Sequence, residues 1–188
     1  MRKKTKRIIS TWFFPTSLGW MVIAGCKKKV NWLSFGHETR EESTEMWNVS
    51  KYNTSTVASF RCHNWNPELV EQLTAYASGV PVNFESVKTD SDVDCESFSG
   101  QVLQRCQKIP YGHYLTYQQL AERVKRPGAA RAVGNVMSRN KVPIIIPCHR
   151  VIAAHGGLGG FSMPKGVEMK RKLLGMESAS VKQSKCIR

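Results

Sequence analysis

At 188 residues, 41% of them hydrophobic and 22% charged, the chain can bury one sizeable core or two small ones, which excludes disorder along its whole length. Its 28 Lys and Arg against 14 Asp and Glu give a formal charge of +14, and the excess is segregated: residues 1–97 carry 12 basic and 11 acidic side chains, residues 98–188 carry 16 and 3. That asymmetry points to a polyanionic partner, nucleic acid first and an anionic membrane surface second.

The first residues are basic (2–7) and precede an apolar run over 8–24, a pattern similar to a secretory signal. Pro15, Ser17 and Gly19 interrupt that run as a turn would, so two short strands over 8–14 and 20–24 fit it better, with a third over 30–35. Residues 36–56 are polar, with four glutamates between His37 and Glu45, and read as a solvated loop or insertion. A helix is predicted over 67–77, with Pro67 and Glu68 in its first turn, Leu69, Leu73 and Tyr76 on one face and Gly79 past its end. The acidic stretch 86–96 is taken as a linker, with a domain boundary near residue 92. Six cysteines (26, 62, 95, 106, 148 and 186) form no C-x-x-C pair, which favours reduced thiols in an intracellular compartment.

The second half is predicted to be mainly helical. Phe98, Val102 and Cys106 recur at four-residue spacing, and Pro110-Tyr111-Gly112 ends that helix. Thr116 followed by Gln119 is a capping box that starts a helix running to about Val124. After the break Lys125-Arg126-Pro127-Gly128, a further helix runs from Ala129 to about Arg139. Two short helices around a tight turn form a helix-turn-helix candidate, although an ordinary helical corner carries the same punctuation. In the second helix Ala130, Val133 and Met137 make the apolar side, and Arg131, Asn135 and Ser138 face away. Small residues crowd its start, as close packing or close approach to a groove would require.

The apolar residues 142–146 are expected to be a buried extended segment, and Pro147 ends it just before Cys148. A free thiol titrates near about 8.5, so a nucleophile at neutral pH needs a base. His149 can take the proton directly or through one water. The half beyond residue 97 holds three acids, Glu122, Glu168 and Glu177; Glu122 sits on the first helix of the candidate reader and Glu168 begins the last helix, which leaves Glu177 as a candidate to orient the His, against the plainer reading of a solvated side chain near a helix end. The loop 155–162 carries four glycines and Phe161, either a flexible turn or a backbone that approaches a ligand closely.

Taken together, TYQQLA, ARAVGNVMSRN, VPIIIPCHRVI, GGLGGFS and KRKLLGME closely resemble the O6-alkylguanine-DNA alkyltransferases, in register from about Phe98 to Glu177. TSLGWMVIAGC and KKKVNWLSFG look like that family's opening hairpin and third strand. The resemblance implies an α+β protein. Residues 1–92 would form a small antiparallel sheet with a helix, ribonuclease H-like, and residues 93–188 a winged-helix-like, mainly helical domain with the helix-turn-helix. It implies a DNA repair protein that flips O6-alkylguanine, and also O4-alkylthymine, from the duplex and moves the alkyl group irreversibly to its own cysteine.

By that resemblance Cys148 is the acceptor, His149 the base, Glu177 its partner, Asn140 an orienter and Tyr117 a proton donor to the leaving guanine. Arg131 would fill the vacated stack; Tyr117, Gln118, Ser99 and Arg126 would contact DNA; Pro143, Leu158, Phe161 and Ser162 would line the base pocket. The expected partner is double-stranded DNA carrying alkylated guanine, with no membrane, no cofactor and a monomeric state. The compartment would be the nucleus in a eukaryote, which residues 2–7 would suit, and the cytoplasm otherwise. Three departures stand out: Phe161 where a tyrosine is common, Met163-Pro164-Lys165 with two extra residues before the last helix, and Asn31 where zinc-binding members need a His beside Cys26, so no metal is expected. Two other classes, a non-catalytic lesion binder and a helix-turn-helix regulator, fit less well, because this chain keeps Cys148 and carries no second recognisable module.

Overall fold

Three strands rich in β-branched and aromatic residues, β1 (Arg7–Phe14), β2 (Trp20–Cys26) and β3 (Lys29–His37), form an antiparallel meander. The computed structural model describes residues 7–50, 57–89 and 94–185, so residues 2–6 and the boundary near residue 92 lie outside the described residues. The polar stretch 36–56 read as a loop instead contains a helix, α1 (Arg40–Val49), and a fourth strand, β4 (Val57–Cys62), lies just beyond it. The helix starts because the Thr39 side chain accepts from Glu42 N (3.1 Å) and Glu41 and Glu42 sit in the positive first turn. One buried aromatic, Trp47, docks it on the sheet beside Ile9, Ala24 and Trp32.

That helix carries the chain across the sheet, so β4 pairs parallel to β1 and the order is β3-β2-β1-β4. The expected antiparallel sheet is therefore mixed. Its other face packs on α2 (Pro67–Ala77), which Asn66 caps through Leu69 N at 3.3 Å.

Beyond residue 93, α3 (Phe98–Gln107), α4 (Tyr117–Arg123), α5 (Ala130–Ser138) and α6 (Gly166–Lys185) surround the segment that carries Cys148. The predicted capping box is complete: Thr116 Oγ1 accepts from Gln119 N (3.1 Å) and Gln119 Oε1 accepts from Thr116 N (2.8 Å). Short strands β5 (Leu115–Thr116) and β6 (Val151–Ile152) pair in parallel and tie the start of α4 to the residues just after Cys148. A single buried cluster runs from Phe14, Met21 and Phe35 through Leu73 to Val102, Leu120, Val133, Ile145 and Leu173.

Candidate active site

The segment that carries Cys148 is shaped by a polar clip. Asn140 Nδ2 donates to Ile146 O (2.8 Å) while its Oδ1 accepts from Val142 N (3.1 Å), and Ile146 N donates to Val142 O (2.9 Å). Residues 142–146 are buried, as expected, but folded into a compact turn and not extended. The reason is that both ends bond to Asn140 and to each other, which forces the β-branched Ile144 to φ 71°. Pro147 follows, and Cys148–Arg150 form a single 3-10 turn that leaves Cys148 only 7% exposed.

Cys148 closes one end of a cavity of about 480 Å³ lined by Tyr117 from α4, Gly134 and Met137 from α5, Asn140 and Pro143, and Gly159 to Met163 of the glycine loop. Among the residues assigned to the pocket by resemblance, Pro143, Phe161 and Ser162 line it and Leu158 does not; the backbone of Gly159 and Gly160 stands there instead. A Cβ on Gly159, at φ +69°, would lie 2.6 Å from Tyr117 Oη, so glycine is what lets the phenol sit against the loop. Met163 also lines the cavity and touches Ser34 of β3, and Phe161 packs against Phe35, so the N-terminal half supports the lip.

Behind Cys148 lies a buried polar cluster. Glu177 Oε1 accepts from Tyr76 Oη (2.7 Å) and Arg150 Nη2 (2.8 Å) and lies 2.9 Å from His149 Nε2; Oε2 accepts from Arg150 Nε (3.0 Å) and Gly112 N (3.1 Å). Arg150 Nη1 donates to Ile109 O at 2.6 Å. Burial opposes ionisation of Glu177, but the hydrogen bonds and charges of His149 and Arg150 hold its carboxyl down at about 2. Burial lowers the pKa of His149, against the pull of Glu177, so its ring is neutral at neutral pH, and Nδ1 has no hydrogen-bond partner among the described residues. Burial pushes the Cys148 thiol up, opposed by the Asn140 side chain, the Lys170 charge and backbone N–H groups. The fully buried Lys170 donates to Val151 O (2.7 Å) and lies 5.8 Å from the Tyr117 ring centre. Burial, then the nearby thiols, keeps the Tyr117 phenol protonated.

The structure thus brings Cys148, His149, Glu177, Asn140 and Tyr117 into one site. Arg131 and Arg126 are exposed on α5 and in the turn before it, Gln118 is held to Glu122 at 3.1 Å, and Ser99 is half-buried on α3; none of these four meets the cavity. Sequence reasoning missed Tyr76, which periodicity assigns to an apolar helix face, and Lys170, whose burial no local pattern announces. Cys26 belongs to no cluster of three or more His, Cys, Asp or Glu side chains among the described residues.

The chain matches the family model of the 6-O-methylguanine DNA methyltransferase DNA-binding domain over residues 97–179. A methylated-DNA–protein-cysteine methyltransferase of Methanopyrus kandleri is 41% identical over 111 residues, 59% of this chain and 79% of that protein. The chain belongs to the methylated-DNA–protein-cysteine methyltransferase family. A second family member, from Mycolicibacterium paratuberculosis, is 41% identical over 108 residues, 57% of this chain but only 62% of that relative's length. The crystal structure of Mycobacterium tuberculosis OGT in complex with DNA superposes with a TM-score of 0.72 at 29% identity, covering 91% of this chain and 94% of that one. These family members are bacterial or archaeal and lend no support to a nuclear location. No helix among the described residues is long and apolar enough to cross a membrane.

Proposed function

We infer that this chain repairs DNA by moving the alkyl group of O6-alkylguanine, and also of O4-alkylthymine, to Cys148 in a single-turnover reaction. The observation that carries this reading is a cysteine at the end of an apolar, base-sized cavity, backed by a buried His149–Glu177–Arg150 cluster that can receive its proton. His149 Nδ1 takes the thiol proton, directly or through a water. Sulfur then bonds the alkyl carbon as the carbon–O6 bond breaks and its electron pair returns to the purine. Tyr117 supplies the proton that the departing guanine needs and regains one from solvent, to which His149 releases the thiol proton, so the net transfer is from thiol to base. Asn140 and Lys170 favour the thiolate, and the stable thioether explains why no second turnover follows.

On the DNA side, Arg131 enters the stack in place of the flipped nucleotide, and Gln118, Ser99 and Arg126 hold the backbone. The small residues Ala130, Ala132 and Gly134 suit close approach of α5 to a minor groove about 6 Å wide. In this reading the mixed sheet with its helices is ribonuclease H-like, residues from 93 onward form a winged-helix-like unit, and the protein acts as a monomer.

A duplex whose restriction site is blocked by O6-methylguanine tests the activity. Cleavage should be restored in proportion to protein added, one site per chain, and Cys148→Ala should restore none. Restoration that continues catalytically, or that survives Cys148→Ala, would sink the reading.

A further inference from the structure

Tyr76 lies on α2, in the half of the molecule that the charge distribution assigns no chemistry, yet its hydroxyl ends inside the proton-transfer cluster. It is fully buried, and its ring is held edge-on by Phe84 (5.8 Å between centres) and Tyr111 (5.9 Å), so the hydroxyl cannot swing away. Packing alone would be served by phenylalanine, since a buried hydroxyl costs free energy unless it is bonded. Tyr76 Oη lies 2.7 Å from Glu177 Oε1 and 3.2 Å from His149 Nε2.

We propose that Tyr76 is a positioning residue for alkyl transfer: it donates to Glu177, turns an oxygen lone pair toward His149 Nε2, and so fixes the proton on Nε2 and the lone pair on Nδ1. The inference rests on the reading that His149 is the base for Cys148. The geometry leaves little choice. An ionised carboxylate only accepts, so each group within reach of Oε1 must donate: the Tyr76 hydroxyl at 2.7 Å, Arg150 Nη2 at 2.8 Å and His149 Nε2 at 2.9 Å. The one hydroxyl proton of Tyr76 is then committed to Glu177, and its oxygen faces Nε2 as an acceptor. In the opposite tautomer the Nε2 lone pair would meet two oxygen lone pairs. The fixed tautomer leaves Nδ1, the ring atom without a partner among the described residues, as the site that receives the thiol proton.

The test reads the tautomer directly, by nitrogen NMR of the His149 ring from pH about 5 to about 8, in the full chain and in Tyr76→Phe, alongside the rate of methyl transfer from an O6-methylguanine duplex. The unsubstituted chain should carry its proton on Nε2; a proton on Nδ1 would overturn the proposal without any variant. Tyr76→Phe removes one donor from the carboxylate, whose less compensated charge favours protonated His149. His149 should therefore titrate at higher pH, the acid limb of the rate should move up with it, and the rate near neutrality should fall on the order of tenfold.

Phe84→Leu, which loosens the same ring and leaves the hydroxyl, should lower the melting temperature without moving either titration. A Tyr76→Phe protein whose His149 titration and acid limb stay in place refutes the proposal, even if it is less stable. Should the unsubstituted chain accept no methyl while His149 still responds to Tyr76→Phe, the functional reading fails and the tautomer assignment stands.

Discussion

Glu177 accepts from five donor atoms on four residues with its two oxygens, so its charge holds the buried cluster together. Replacing it by Gln leaves Arg150 buried without its counter-ion, and the loss should be on the order of 3–5 kcal/mol in denaturant titrations at pH 7. The same cluster sets the acid response. Glu177 sits at about 2 when folded, below the usual carboxylate value, so the stability it provides is full above pH about 4.5 and is lost as pH falls toward 2. His149, lowered by burial, contributes stability that is full above about 6.5 and is lost as pH falls through its folded value. Urea midpoints measured down the pH scale should therefore drop first below about 6.5 and again below about 4.5. A flat profile between those points would count against a neutral buried His149.

Gly159 offers a second residue-scale prediction. In Gly159→Ala the new methyl meets Tyr117 Oη at a positive φ, so methyl transfer should slow by about tenfold to a hundredfold through displacement of the phenol, read by single-turnover kinetics with the melting temperature as control.

At the scale of elements, two of the helices with chemical start signals were legible. Pro67–Ala77 and the capping box at Thr116 fall where the sequence puts them, because a cap is a local bond that needs no tertiary context. Thr116→Ala should cost about 1 kcal/mol and, because Tyr117 is the next residue, should also lower transfer rate, a pairing that thermal melts and kinetics on one preparation would check. Helix α1 was not legible: it is held by Thr39 and by a single buried Trp47 in an otherwise polar sequence, too sparse to show a periodicity. The turn over 142–146 was also misread, since an apolar run is silent about the Asn140 clip that bends it. For α5, Arg131→Ala should weaken repair of duplex DNA and largely keep reactivity toward free O6-benzylguanine. Equal loss on both substrates would contradict a role in flipping.

At the scale of the molecule, the charge asymmetry and a cysteine beside a histidine could be read from sequence, but the contribution of the near-neutral half could not. Its sheet shares one core with the basic half, Ser34 and Phe35 support the cavity lip, and Tyr76 reaches Glu177 across 101 positions of sequence. Contacts of that range have no local signature. The +13 half predicts binding to duplex DNA that weakens steeply with salt, and Arg126→Ala should reduce the slope of log K against log salt by about 0.9 if it neutralises one phosphate. The central claim, that Cys148 is the alkyl acceptor, is tested most directly by incubating the chain with duplex DNA labelled on the O6-methyl group and mapping the protein's peptides. The account predicts one label per chain, confined to the Cys148 peptide; label on another cysteine, or none on the protein while guanine is restored, would contradict it.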